Sequence, residues 1–287
     1  MFWRAGVIRW APLLFVLLWS TGFIGAKYGL AHAEPLTFLS IRYALVVALM
    51  APLALAMRAP WPHDGRKRLH IGVSGLLIHA VYLAGVFLAI ARGLPAGVTA
   101  LVVGLQPIFT AVGAAWLLGE AVRRTQWLGL AMGLAGTALV VSGKFGGETG
   151  GAALWPALMA LAGITAGTLY QKRFCPSFDL RSGAVLQFVP TAIVTLVAAA
   201  AFEDFRVDWT PSFAFALGWL VLVLSVGAIS LLNLLIRSGS AVNVASLFYL
   251  TPVVTAVMAW LLFDEALRPA ALAGMAIAVS GVWLARR

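Results

Sequence analysis

The chain has 287 residues, 62% of them hydrophobic and 10% charged, with a formal net charge of +10. Soluble globular chains carry about 25% charged residues, so water is excluded as the only solvent, and no soluble domain fits between the apolar stretches. One cysteine, Cys175, and scattered histidines (His32, His63, His70, His79) offer neither a disulfide framework nor a metal-ligand spacing, and no metal or cofactor is expected.

Apolar spans follow one another from the start. Span one, about 10 to 30, sits behind Arg4 and Arg9 and is followed by Ala31-His32-Ala33, which together imitate a secretory signal. It has a counterpart inside the chain, so it is expected to stay as a helix. Spans two to five are expected at about 36 to 57, 70 to 91, 96 to 118 and 126 to 143. Spans six to ten are expected at about 155 to 172, 182 to 202, 212 to 236, 241 to 263 and 268 to 285. Each is close to the ~20 residues that cross a bilayer.

A single offset of 145 relates the two halves. Residues 96–136 align without gaps on 241–281 with 15 of 41 positions identical, pairing Pro107 with Pro252, Glu120 with Glu265, Arg123 with Arg268, Gly129 with Gly274 and Gly136 with Gly281. The same offset pairs Trp10 with Trp155, Gly22 with Gly167, Lys27 with Lys172 and Glu34 with Asp179. The chain therefore reads as a tandem duplication, 1–145 and 146–287. A half of five spans ends on the side opposite its start, so the second half is expected to be inverted. With the N-terminus placed in the cytoplasm, 14 of the 20 Lys and Arg fall on the inner side and five on the outer, with Arg42 inside a span. Both termini are therefore expected to be cytoplasmic. The fold class is an all-α integral membrane protein of ten transmembrane helices in two inverted five-helix repeats.

Trp19-Ser20-Thr21-Gly22-Phe23 with Lys27, the stretch from Pro35 to Arg42, and Pro107 to Glu120 with Gly129 and Gly136 resemble an EamA-domain member of the drug/metabolite transporter superfamily. Pro252, Asp264-Glu265, Gly274 and Gly281 repeat the last element. The resemblance implies a basket of helices around a central cavity and movement of amino acids, other metabolites or drugs. Span one has no acidic residue, unlike the small multidrug relatives, which argues against antiport of cationic drugs.

A transport site needs polar or aromatic groups near the bilayer midplane. Trp19 and Ser20 fall mid-way along span one. His79 lies near the centre of span three with Tyr82 one turn along the same face, and an ionisable group at that depth is a functional candidate; a neutral histidine bonded to a neighbouring helix is the plain alternative. In span four Gln106 precedes Pro107, whose ring frees the carbonyl of Val103. Thr251 and Pro252 repeat this in span nine and free Phe248, so kinks are expected at both prolines.

Thr99, Val103, Gln106 and Thr110 share one helical face. Tyr170 and Gln171 in span six, Asn233 in span eight and Tyr249 in span nine complete the candidate lining, with interhelical glue and packing as their alternatives. Lys27, Arg42 and Lys172 lie toward helix ends. There they either snorkel or face the cavity mouths, where they would favour solutes carrying a carboxylate. All ten acidic residues are assigned to connections or span ends, which leaves His79 as the candidate for proton coupling and favours gradient-driven facilitation.

The expected partners are a small-molecule solute and membrane lipid, not nucleic acid, in a bacterial inner membrane. Gly25 and Gly29, Gly129 and Gly133, and Gly163 and Gly167 have a small-residue spacing that suits a monomer interior and a dimer seam alike. Two other functions compete. A lipid-linked sugar flippase would use a laterally open groove; a membrane-embedded enzyme would need motifs such as His-Glu-x-x-His or Gly-x-Ser-x-Gly, which the sequence does not contain.

Overall fold

The computed structural model describes residues 2–94, 96–142, 151–263 and 268–286. All the regular structure among them is helical, apart from one antiparallel bridge between Ala33 and Val207. The helices are α1 (Phe2–Leu30), α2 (Pro35–Ala56), α3 (Gly65–Ala91), α4 (96–118) and α5 (Arg124–Val141), then α6 (Gly151–Phe174), α7 (Leu180–Phe202), α8 (Pro211–Ser238), α9 (241–263) and α10 (Pro269–Ala285). Among the described residues, seven helices are long and apolar enough to cross a membrane: those at Trp10–Leu30, Pro35–Ala56, Gly65–Ala91, Val98–Leu118, Leu180–Phe202, Pro211–Ser238 and Ala241–Met258. Large apolar side chains cover the outside, with Trp116 84% and Phe202 82% exposed. Such a surface suits lipid, where a helix keeps its backbone bonds to itself.

Several helices start before the apolar run does, because capping chemistry sets their ends. Asp64 accepts from Arg66 N at 2.9 Å and starts α3 at Gly65, five residues ahead of the expected span. Asp179 starts α7 by accepting from Arg181 N at 2.9 Å, and Ser240 starts α9 by accepting from Asn243 N at 3.1 Å. The N-terminus of α2 is capped from the other half of the chain: the Glu203 carboxylate accepts from Leu36 N at 2.8 Å and Thr37 N at 2.7 Å.

Four helices are irregular in the middle, in two pairs, and α4 has a further, unpaired π turn at its end, Ala114–Leu118. π-helical turns occupy Leu76–Val81 of α3 and Leu220–Ala228 of α8. The α4 rod breaks at Gly104 and Leu105, then restarts as Gln106–Gly113 with Pro107 in its first turn, where a missing N–H costs nothing. The α9 rod passes through a 3-10 turn, Leu247–Tyr249, before Leu250–Phe263 carries Pro252. At that second break the carbonyls with side-chain donors are Tyr249 O, 3.5 Å from Thr137 Oγ1, and Thr251 O, 3.3 Å from Ser20 Oγ.

Packing follows the same pairing. α2 lies against α7, and α5 against α10; α1 packs on α8 and α9, as α6 packs on α3 and α4. The α5–α10 seam brings backbone onto backbone. A Cβ added at Gly129 would stand 2.6 Å from Gly281 O, and one at Gly136 would stand 2.5 Å from Gly274 O. The residue numbers rise on one helix as they fall on the other, so the two run antiparallel. The α2–α7 pair does the same, with Glu203 at Leu36 and Arg181 Nη1 at Met57 O, 3.5 Å away. Gly25, Gly29, Gly163 and Gly167 face Leu220, Phe38, Tyr82 and Ile78 within the chain.

Candidate functional site

Two buried polar stations occupy the middle of the bundle. The first is built on Arg42 of α2, which is 2% exposed. Its Nε donates to Ser225 Oγ in the π turn of α8 at 3.0 Å, and its guanidinium lies 5.9 Å from the Tyr43 ring centroid. Arg42 lines a cavity of about 30 Å3 together with Trp19, Tyr82, Phe87, Leu224 and Ile229, room for one or two waters. Trp19 and Tyr82 stack there with centroids 6.2 Å apart and planes 9° apart. Phe15 and Phe248, at 5.1 Å and 5.4 Å from Trp19, fix the indole from behind.

The ion pairs found among the described residues are Arg181–Asp179 and Arg206–Asp204; Arg42 joins neither. A buried cation without an anion costs several kcal/mol, and one hydroxyl offsets only part of it. Guanidinium donors match a carboxylate in geometry and charge, and the aromatic pair beside them offers an apolar wall. The arrangement offers a charge and an apolar wall to a small anion, for which the cavity of about 30 Å3 must first widen. Arg42 was expected toward a helix end with its charge at a cavity mouth; the structure buries it, because α1, α3 and α8 close around that turn of α2.

The second station is built on Gln187, 145 positions after Arg42 and 0% exposed. Three amides from three helices close a ring. Gln171 Nε2 donates to Asn233 Oδ1 at 3.0 Å, Asn233 Nδ2 to Gln187 Oε1 at 3.1 Å, and Gln187 Nε2 to Gln171 Oε1 at 3.1 Å. Gln187 Nε2 also reaches Ser74 Oγ of α3 at 3.1 Å. Each member has its needs met, so the ring ties α3, α6, α7 and α8 together.

His79 lies on the π turn of α3, stacked on Phe188 with centroids 4.4 Å apart, and neither ring nitrogen has a hydrogen-bond partner. Its carbonyl accepts from Tyr43 Oη at 2.9 Å. The amide of Gln106 and the hydroxyls of Thr110, Tyr249 and Thr251 are also buried without a partner. Gln106 and Thr251, each next to its helix's proline, occupy positions 145 apart.

Other expected site residues go elsewhere. Ser20 Oγ bonds to Val16 O at 2.7 Å and to the α9 break, and Thr99 is buried in α4. Tyr170 Oη lies 2.6 Å from His70 Nδ1 and lines a groove on the flank, away from Trp19 and Tyr82. Lys172, expected at a cavity mouth, donates to Ile236 O at 3.1 Å and to Gly239 O, and so laces the end of α6 to that of α8. The Lys27 side chain, Lys144, Asp264 and Glu265 lie outside the described residues. Ser225, Ser74, Gln187, Tyr43 and Phe188 were not anticipated, although the offset of 145 from Arg42 leads directly to Gln187.

The sequence model of the EamA-like transporter family matches residues 7–142 and again residues 152–287. The transporter YvbV of Bacillus subtilis is 28% identical, over 94% of this chain and 88% of its own. An Escherichia coli protein described as a "probable amino-acid metabolite efflux pump" is 25% identical, over 95% of this chain and 92% of its own. A protein of known crystal structure, 23% identical, aligns with a TM-score of 0.78 over 98% of this chain and 96% of its own. At that identity it speaks to the fold alone.

Proposed function

The chain belongs to the EamA-like transporter family, and from that premise we propose that it moves amino acids or related carboxylate-bearing solutes across the membrane by alternating access. One observation carries the substrate class: Arg42 is buried in the bundle, lines a cavity and has no carboxylate beside it among the described residues. A solute carboxylate would supply the missing charge, and Trp19 with Tyr82 would hold the apolar part. The description of the Escherichia coli relative as a "probable amino-acid metabolite efflux pump" agrees with this class.

In this reading all ten helices cross the bilayer, as two inverted repeats with both termini in the cytoplasm. Its support is the antiparallel crossing of α2 with α7 and of α5 with α10, together with the excess of Lys and Arg in alternate connections. The two bundles rock about the centre. Paired π turns in α3 and α8 and paired breaks in α4 and α9 are places where a helix can bend without losing many bonds. Among the described residues no carboxylate lines the site, which supports movement down the solute gradient, with His79 as the one group in the bundle that could couple it to protons.

The test is uptake of radiolabelled amino acids and their methyl esters into proteoliposomes, with and without an imposed proton gradient. Free carboxylates are expected to be carried without the proton gradient and the esters are not. Equal uptake of acid and ester would overturn the substrate class.

A further inference from the structure

Two grooves on the outer flank of the bundle are related by the offset of 145. One, about 620 Å3, runs along α6 beside α4 and is lined by Ala166, Leu169, Tyr170 and Arg173, among others. The other, about 330 Å3, is lined by the equivalent residues of α1: Thr21, Ile24, Gly25 and Tyr28. At the end nearest the helix terminus the copies differ in kind, with Arg173 in the larger groove where the smaller one has Tyr28.

We infer that the groove along α6 holds one tail of an anionic phospholipid of the cytoplasmic leaflet, with its phosphate against Arg173. The groove extends from Leu158 to Phe174, about 24 Å of helix, against ~15 Å for half the hydrocarbon core, so it can take a whole tail. Its wall is fixed: His70 bonds Tyr170 at 2.6 Å and stacks on Phe174 with centroids 5.0 Å apart. Hydrophobicity cannot choose one lipid over another inside a bilayer; shape and headgroup charge can.

Lys172 is committed to backbone carbonyls, whereas Arg173 is exposed and in neither of the ion pairs found among the described residues. In the topology proposed above Arg173 faces the cytoplasmic leaflet, where anionic lipids concentrate. Tyr28 faces the other interface, where an aromatic side chain is usual. Among the described lining residues, the duplicated groove thus bears a cation on the cytoplasmic side alone. The inference uses that topology and is independent of the transported solute.

Native mass spectrometry of the full-length protein in detergent, titrated with phosphatidylglycerol or phosphatidylcholine of equal chain length, tests it. The wild type should retain one phosphatidylglycerol with a preference of about fivefold, the factor equivalent to the ~1 kcal/mol of one basic residue near an anionic surface. Arg173→Gln should remove the preference. Ala166→Trp and, independently, Ala162→Trp fill the groove and should remove the bound lipid, with helix content by circular dichroism unchanged. Ile24→Trp in the other groove should leave it bound. Retention by both groove-filling variants, an intact preference in Arg173→Gln, or displacement by glycerol 3-phosphate alone would overturn the assignment.

Discussion

Arg42 and Gln187 hold the same place in the two halves of the chain, each buried and each bonded to a serine on a different helix, at 3.0 Å and 3.1 Å. Their surroundings have diverged. Around Gln187 three amides answer one another, and the helices they join are held. Around Arg42 a charge faces a small cavity beside two stacked aromatic rings. The same backbone position thus serves as a strut in one half and as a receptor in the other. What separates them is whether the polar group is satisfied by the protein itself.

Replacing the receptor's charge should have the largest effect. Arg42→Gln loses a charge-assisted contact of about 2 to 3 kcal/mol, so carboxylate uptake in proteoliposomes should fall roughly 30- to 160-fold. Thermal unfolding should be unchanged or raised, because an unpaired buried charge has gone. An unaltered uptake rate would make both stations struts.

Breaking the strut should do the reverse. Gln187→Leu leaves Asn233, Gln171 and Ser74 with buried polar atoms unanswered and should cost about 2 kcal/mol of stability, read by unfolding in mixed detergent. A neutral result there would show that the ring does not hold the helices. The two serines sharpen the contrast: Ser225→Ala should weaken uptake about fivefold, the equivalent of ~1 kcal/mol, with little change in stability. Ser74→Ala should lower stability by a similar ~1 kcal/mol and spare affinity. If the serine effects are exchanged, so are the roles.

The smallest effect concerns the ends of the paired helices. α7 is capped by its own Asp179, whose carboxyl is held below its ordinary range mainly by its bond to the Arg181 side chain. Its folded form is the more acidic, so its stabilisation is present above the usual carboxylate range of about 4. That stabilisation is lost as pH falls through the depressed value. Asp179→Asn keeps a capping side chain but not the charge that holds Arg181, so it should lower neutral stability slightly and flatten the acid limb of an unfolding-versus-pH curve. A limb as steep as in the wild type would show that Asp179 does not set the acid sensitivity.

The repeat and the apolar spans could be read from the sequence because hydropathy and rare shared residues survive without coordinates. The breaks in α4 and α9, at Gly104–Leu105 and Leu247–Tyr249, lie a few residues before Pro107 and Pro252. The π turns in α3 and α8 could not be read, since no residue type marks them. Arg42 was misplaced because its distance from the end of the span suggested reach to the interface, and only the packing of α1, α3 and α8 closes that route. Asn233 and Gln171 each stand out in the sequence only as a polar residue among apolar ones. That they meet each other, through a glutamine on α7, depends on how three helices are turned.

The α5–α10 seam has one more consequence. The atoms nearest to a Cβ at Gly129, Gly136, Gly274 and Gly281 are backbone N, O and Cα, with the one exception of Leu139 Cβ beside Gly274. A side-chain clash can be relieved by trimming the neighbour, but an amide nitrogen or a carbonyl oxygen cannot be exchanged for a smaller one. Mutation at any of the four therefore has no compensating partner, and neither half can drift there without losing the other. The polar atoms of the Arg42 and Gln187 side chains bond to other side chains, which can change with them. A chain joined where it cannot vary can diverge where it binds.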